Sequence, residues 1–344
     1  MHREVEPVIR VPIADASQIA EARRRFAQFA ERLGFDATGV GQVALAASEL
    51  ASNVFRHGRG GEMLGQALRD GSGLEVLALD KGPGMHSVEA CLRDGYSTGG
   101  TAGTGLGAIQ RQSAELQIYS RLSGGTAVLC RFKRKAVMRT AVGSASPPTE
   151  AFSVGGVAVP VAGYEACGDA WNVVLGESEA TVLLADGLGH GAPAASAANE
   201  AMRLFAHAPD RPVVELLAVL HEGLRATRGA AVAVARMSLS RRVLCFGGVG
   251  NIAGTLLSRE AARKLVSHNG TAGHAMRRAQ AFDYPLGTDS VLILHSDGVS
   301  ASWSLDRYPG LVAFDPVLIA GVLFRDFSRA RDDASVVVVK ERSS

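Results

Sequence analysis

The chain has 344 residues, too many for one ordinary domain and enough to fill two cores. Hydrophobic residues make up 47% and charged residues 20%, and 36 basic against 34 acidic residues leave a formal net charge of +2. So weak a field excludes nucleic acid and an anionic membrane as favoured partners. The cysteines, Cys91, Cys130, Cys167 and Cys245, form no C-x-x-C pair. They signal neither a zinc site nor a disulfide framework and read as a reduced thiol set. The opening MHREVEPVIRVPIADAS lacks the apolar core of a signal peptide, and no apolar run is long enough to span a bilayer. The expectation is a soluble, cytoplasmic protein.

In chain order, Ile19, Ala22, Phe26, Phe29 and Leu33 mark one face of a helix, with Asp15 and Gln18 placed to cap its start and Gly34 to end it. Val43, Ala47, Leu50 and Val54 predict a second helix over residues 41–57. Strands follow at 63–69 and 74–80, joined by Asp70-Gly71-Ser72-Gly73. A glycine-rich stretch leads to a helix over 105–116, then strands at 117–120 and 126–132 flank Gly124-Gly125. Gly143, Ser144, Ser146, Pro147 and Pro148 mark a linker. The expected division is 1–138, a linker at 139–150, and 151–344. Beyond it, β-branched runs at 152–161, 171–175, 181–185, 230–237, 242–246, 290–294 and 336–339 are interrupted by helices near 193–205 and 213–225, which suggests two sheets flanked by helices.

Three elements of the first half carry chemistry. Glu49 and Asn53 project from one side of the second helix, beside its apolar stripe; alone, they also fit a solvated flank. Asp80-Lys81-Gly82-Pro83-Gly84 closes an apolar strand in a loop with few side chains, which a flat ligand can approach and which also fits an ordinary turn. Gly99-Gly100 and Gly103-Thr104-Gly105-Leu106-Gly107 precede a helix, and the amides and dipole there suit phosphate.

In this order the three elements resemble the GHKL ATPase superfamily over roughly residues 10–134. The stretch RDGYSTGGTAGTGLGAIQRQS is similar to the anti-sigma and stressosome switch serine kinases. The resemblance implies an α/β sandwich with a mixed sheet against helices, and ATP as cofactor. It implies that Asn53 coordinates Mg²⁺ on the phosphates and that Glu49 is the general base toward a substrate serine or orients it. Asp80 would bond the adenine amino group, Gly82 and Gly84 would admit the ring, and Gly103, Thr104, Gly105, Leu106 and Gly107 would wrap the phosphates. Phosphoryl transfer needs such charge neutralisation and in-line positioning. The short lid, with no dimerising helix bearing a phospho-accepting histidine before it, argues against a sensor histidine kinase.

In the second half, acidic residues sit at the ends of apolar strands: Asp169 in Gly168-Asp169, Asp186 in Asp186-Gly187-Leu188-Gly189-His190-Gly191, Asp297 in Ser296-Asp297-Gly298, and Asp332 and Asp333 before Ala334-Ser335. One such residue reads as a turn. Gathered, they would repel one another unless protonated or neutralised, and all-oxygen ligands favour Mg²⁺ or Mn²⁺. The order resembles bacterial PPM-type serine/threonine phosphatases of the sporulation-stage-II and stress-response branch over about residues 152–341, as do Gly248-Val249-Gly250-Asn251-Ile252 and His268-Asn269-Gly270-Thr271-Ala272-Gly273. This implies an α-β-β-α sandwich in which Asp186 bridges two metals and the Gly187 carbonyl binds one. Asp297 and Asp332, the latter with Asp333 beside it, would serve the second metal, and Asp169 would support the first. The metals would lower the pKa of a shared water. His190 would protonate the leaving serine oxygen; a helix-start residue facing solvent is the other reading. Two departures stand out: Ala170-Trp171-Asn172 replaces the usual cluster after Gly-Asp, and the last motif ends in Ser335 where the pattern has Thr.

The expected whole is a bifunctional partner-switching regulator, kinase and phosphatase, acting on antagonist proteins of the STAS fold in a pathway that reaches a sigma factor or other downstream regulator. Kinases of this type also self-associate, so a homodimer is a further expectation. The alternative is a non-catalytic module that binds nucleotide or metal and sequesters a partner.

Overall fold

An edge strand, β1 (Ile9–Ile13), opens the first unit ahead of the helices read from the sequence. The structure, a computed structural model, describes residues 8–92, 105–135 and 151–342. The expected linker at 139–150, Gly99, Gly100, Gly103 and Thr104 lie outside the described residues. The chain divides into two units.

In the first unit, α1 (Ser17–Arg32) buries Ala22, Phe26, Phe29 and Ala30. At its start Ser17 N donates to Asp15 Oδ1 at 2.8 Å and Asp15 N to Gln18 Oε1 at 3.0 Å, the reciprocal reach of a capping box. The next helix, α2 (Ala37–Arg56), begins at Ala37 and not at residue 41, because Asp36 caps it by accepting from Gly39 N at 2.7 Å. β2 (Gly61–Ala67) and β3 (Gly73–Asp80) form the expected hairpin. A short α3 (Val88–Leu92) and α4 (Gly105–Gln112) precede the hairpin of β4 (Glu115–Ser120) and β5 (Thr126–Lys133).

The strand order is β1-β2-β3-β5-β4. Every pairing in it is antiparallel, so the mixed sheet expected from the resemblance is, among the described residues, an antiparallel one. The helix read to residue 116 stops at Gln112 because Glu115 and Leu116 pair with Arg131 and Cys130 in the ladder. Val43, Ala47, Leu50 and Val54 of α2 pack with Phe26 and Phe29 in one core with Met63, Val76, Ala78 and Val128 of the sheet. This packing fixes the helix flank that carries Glu49 and Asn53.

The second unit starts with β6 (Phe152–Val159), β7 (Asp169–Leu175) and β8 (Glu179–Gly187). Two helices follow, α5 (Ala192–His207) and α6 (Val213–Gly223). Then come β9 (Ala230–Ser238), β10 (Val243–Val249), β11 (Ala253–Leu257), β12 (Ala262–Leu265), β13 (Ser267–His268), β14 (Phe282–Pro285) and β15 (Val291–His295). The unit ends with α7 (Pro316–Phe327) and β16 (Ala334–Glu341). One sheet runs β13-β10-β9-β8-β7 with β14 also on β10, and the other β12-β11-β15-β16-β6.

Leu184, Ala233 and Phe246 of the first sheet meet Leu292, Leu294 and Val337 of the second in the central core. Phe205, Leu217 and Leu220 cover the first sheet's other face over Leu183, Val232 and Val234. The helix α7 packs on β6 and β16. The layers are therefore helix, sheet, sheet, helix. No sequence expectation covered α7: it is apolar on every side and buried from Pro316 to Arg325, so it lacks an amphipathic period.

Candidate functional site

In the first unit Glu49, Asn53 and Gly105 meet on one flank of α2. A Cβ on Gly105 would lie 3.1 Å from Glu49 Oε2 and 4.0 Å from Asn53 Oδ1, so the N-terminus of α4 faces both side chains. Both are partly buried, and neither has a hydrogen-bond partner among the described residues. Half-buried polar groups aimed at a helix N-terminus suit an anion with its cation. Asp80 is buried at the end of β3, and its Oδ1 accepts from Gly82 N at 2.8 Å and Thr126 N at 3.1 Å. The two loop glycines have a reason in the chain itself. Gly84 has φ +74°, and a Cβ there would sit 2.1 Å from the Arg121 carbonyl oxygen; a Cβ on Gly82 would meet Gly58 Cα at 2.7 Å. Leu106 and Gly107 continue into α4, while Gly103 and Thr104 lie outside the described residues.

In the second unit both sheets end at one place. Asp169, the first residue of β7, stands directly opposite Asp186 of β8 in the antiparallel ladder. Cross-strand like charges repel at such range. Asp297 follows β15, and Asp332 and Asp333 precede β16. Asp169 is 4% exposed, and its Oδ2 has no hydrogen-bond partner. Burial, then the fields of Asp169, Asp297, Asp332 and Asp333, push the Asp186 carboxyl up to about 9. Burial pushes Asp169 up to about 7, against the pull of the Ser296 and Ser335 hydroxyls and with a further push from Asp333 and Asp332. Asp297 is raised by burial and by Asp332.

Asp169 and Asp186, whose affinity for protons is raised by burial and then by neighbouring carboxylates, with one Asp169 oxygen lacking a hydrogen-bond partner, form an environment that a divalent cation would relieve. Among the described residues no three His, Cys, Asp or Glu side chains are gathered closely enough to hold a metal as they stand. Gly187 ends the same strand as Asp186, and a Cβ there would lie 2.1 Å from Ala194 O.

The Asp332–Asp333 pair divides its duties. Asp333 is buried, and its two oxygens accept from Val161 N and Gly168 N, each at 2.7 Å. It clamps the end of β6 and the approach to β7 onto β16, while Asp332 is exposed and its Oδ1 accepts from Asp333 N at 2.9 Å. Two neighbours had no assigned role in the sequence. Asn251 Nδ2 donates to Asp297 Oδ2, and Ser296 Oγ accepts from Ser335 N at 3.0 Å, tying β15 to β16. Their signal was present in the Gly-Asn and Ser-Asp-Gly motifs, but hydroxyl and amide partners of a carboxylate have no period to betray them.

A groove of about 280 Å³ borders this cluster, lined by Leu188, Gly250, Asn251, Asn269 and Thr271. A larger open cleft of about 630 Å³ runs along α5 past Ser196, Asn199, Arg203 and Thr227, and contains none of the expected ligands. His190 is exposed, edge-on to Tyr164 with ring centroids 4.7 Å apart. Among the described residues, no helix is long and apolar enough to cross a membrane.

Comparison with known proteins agrees with both halves. Residues 13–132 match the family model "Histidine kinase-like ATPase domain", and residues 176–341 match "Stage II sporulation protein E (SpoIIE)". The serine/threonine-protein kinase RsbT of Bacillus subtilis (strain 168) is 31% identical over 112 residues, which is 32% of this chain and 84% of that protein. A structure described as "The bacterial stressosome: a modular system that has been adapted to control secondary messenger signaling" aligns with a TM-score of 0.51 at 26% identity, over 55% of this chain and 98% of its own. RsbX in complex with magnesium aligns with a TM-score of 0.51 at 17% identity, over 56% of this chain and 96% of its own, a likeness of fold. The chain belongs to the histidine kinase-like ATPase family that includes RsbT, and joins that serine/threonine kinase-like domain to a SpoIIE-type phosphatase domain of the PPM class.

Proposed function

We propose that the chain is a bifunctional partner-switching regulator: its first unit phosphorylates a serine or threonine on a small STAS-type antagonist protein with ATP, and its second removes phosphate from the same or a paired protein. The observation that carries the phosphatase half is the register-opposed pair of the buried Asp169 and the half-buried Asp186, with Asp332 close enough to raise the affinity of both for protons and Asp297 that of Asp186. Asp186, the Gly187 carbonyl, Asp297, Asp332 and Asp169 are the groups that would hold a pair of Mg²⁺ or Mn²⁺ ions. When bound, such ions supply Lewis acidity and an activated water. Asp333 holds the backbone on which this set is mounted, and Asn251 fixes one oxygen of Asp297. His190, exposed just before α5, would hand a proton to the departing serine oxygen.

In the first unit, Asn53 would hold the Mg²⁺ of Mg-ATP, and Glu49, one turn earlier, would take the proton of the substrate hydroxyl. Asp80 would accept from the adenine amino group. The glycines from Gly103 to Gly107 would follow the phosphates. The partners, a sigma factor or other regulator beyond the antagonist, and self-association as a homodimer belong to this proposal, as does a cytoplasmic site of action.

Incubating the full chain with ATP, Mg²⁺ or Mn²⁺ and purified small STAS proteins, with phosphate followed by mass spectrometry, tests both halves. Asn53→Ala should abolish phosphorylation and Mg-ATP binding, and Asp186→Ala should abolish phosphate release while sparing ATP binding. Wild-type chain that binds nucleotide and partner but transfers no phosphate in either direction would make it a sequestering module instead.

A further inference from the structure

The carboxylate cluster explains how cations would be held, but nothing in it explains how a phosphate dianion would be. One exposed arginine stands beside it. A Cβ built on Gly189, three residues beyond Asp186, would lie 3.2 Å from Arg228 Nη1. The guanidinium thus rests against the Asp186–Gly191 loop. Arg228 makes no hydrogen bond or ion pair among the described residues.

Its backbone, by contrast, is held on both sides. Thr227 Oγ1 donates to Leu224 O at 2.7 Å and accepts from Gly229 N at 3.0 Å, and a His274 ring nitrogen contacts Thr227 O at 3.1 Å. Gly229 O accepts from Leu188 N at 3.1 Å, which ties the arginine's loop to the loop after Asp186. Two residues on, Ala230 pairs with Gly187 in the ladder. The charge is therefore carried by a fixed turn to the rim of the acidic cluster.

Charge complementarity favours a functional use over a solvated surface cation. A phosphomonoester approaching several carboxylates needs positive charge on the side away from the metal ions. The planar guanidinium fork matches two phosphate oxygens at once. Arg329 also stands near the cluster, on the side of Asp297: its charge pulls the Asp297 carboxyl down, and its backbone amide donates to Gly298 O at 2.8 Å.

We propose that Arg228 anchors the phosphoryl group of the substrate in the second unit, binding its non-bridging oxygens at the edge of the Asp186–Gly191 loop. This rests on the metal-dependent phosphatase reading and adds to it the residue that recognises the phosphate.

The test uses the full chain with Mn²⁺, p-nitrophenyl phosphate and a phosphoserine peptide, in wild type, Arg228→Ala, Arg228→Lys and Arg329→Ala. One lost charge-assisted contact corresponds to about 10- to 100-fold in affinity. Arg228→Ala should raise KM for both substrates, and the inhibition constant of inorganic phosphate, by about tenfold or more. Its kcat should change less, and its Mn²⁺ affinity by calorimetry should equal that of wild type. Arg228→Lys should recover part of the loss. Arg329→Ala should leave phosphate inhibition close to wild type. Unmoved KM and phosphate inhibition in Arg228→Ala, or a loss confined to Arg329→Ala, overturns the assignment while leaving the phosphatase reading intact. A wild-type chain that neither binds Mn²⁺ nor turns over either substrate overturns both.

Discussion

Replacing Asp186 with Asn separates stability from function. In the metal-free fold the Asp186 carboxyl is held up near 9 by burial and by four neighbouring aspartates, against 3.8 in the unfolded chain. Its folded pKa is raised, so the unfolded chain gains by ionising while the fold does not, and stability falls as pH rises from about 4 toward 9. At pH 7 the difference spans about three pH units at ~1.36 kcal/mol each, roughly 4 kcal/mol at most. Because Asp186 and Asp169 raise each other's affinity for protons and titrate as a pair, about half of that is expected from one replacement. Asn keeps the shape and is neutral in both the folded and the unfolded chain, so it needs no proton uptake on folding. Metal-free Asp186→Asn should therefore be more stable than wild type by about 2 kcal/mol at pH 7, roughly 4–8 °C in the melting of the second unit. The gain should vanish near pH 4. The same variant should lose Mn²⁺-dependent stabilisation. Calorimetric melting of the full chain, with and without chelator, reads both effects. A variant less stable than wild type at pH 7 to 8 without metal, or one still stabilised by Mn²⁺ like wild type, refutes the reasoning.

Asp333→Ala should act in the opposite direction. It strands the half-buried amide of Val161 and the buried amide of Gly168, each costing ~1–3 kcal/mol, so urea unfolding should show a loss of about 2–6 kcal/mol whether or not metal is present; a loss seen only with metal would make Asp333 a ligand and not a clamp. Stabilisation of wild type by Mn²⁺ should grow with pH, being smaller at pH 5 than at pH 8, because cations compete with protons on Asp169 and Asp186. At about 100 times the dissociation constant the gain should reach ~2.7 kcal/mol, and a thermal-shift series across pH that shows no such trend contradicts it.

Much of this was legible in the sequence because the signals were local. Asp169, Asp186 and Asp297 stand at ends of apolar strands, and the ladder brings the first two face to face. The stripe of α2 fixes which flank Glu49 and Asn53 share. What was not legible depended on tertiary context. The sequence does not distinguish Asp332 from Asp333, since only the fold brings Val161 and Gly168 to one of them. The wholly buried α7 hides its period. β1 hides too, since a short strand containing Pro12 pairs with residues far along the chain. Gly82 and Gly84 read as space for a ring, yet their nearest neighbours are the chain's own backbone. Arg228 drew no notice because one exposed arginine in a loop carries no pattern at all.

The central claim is that aspartates from both sheets of the second unit bind divalent ions. Calorimetric titration of the nucleotide-free chain with Mn²⁺ at pH 8, in two buffers of different ionisation enthalpy, tests it most directly. Saturable binding with release of protons, abolished by Asp186→Asn and weakened by Asp297→Asn, is the predicted result. Binding without proton release, or binding indifferent to both replacements, would contradict it.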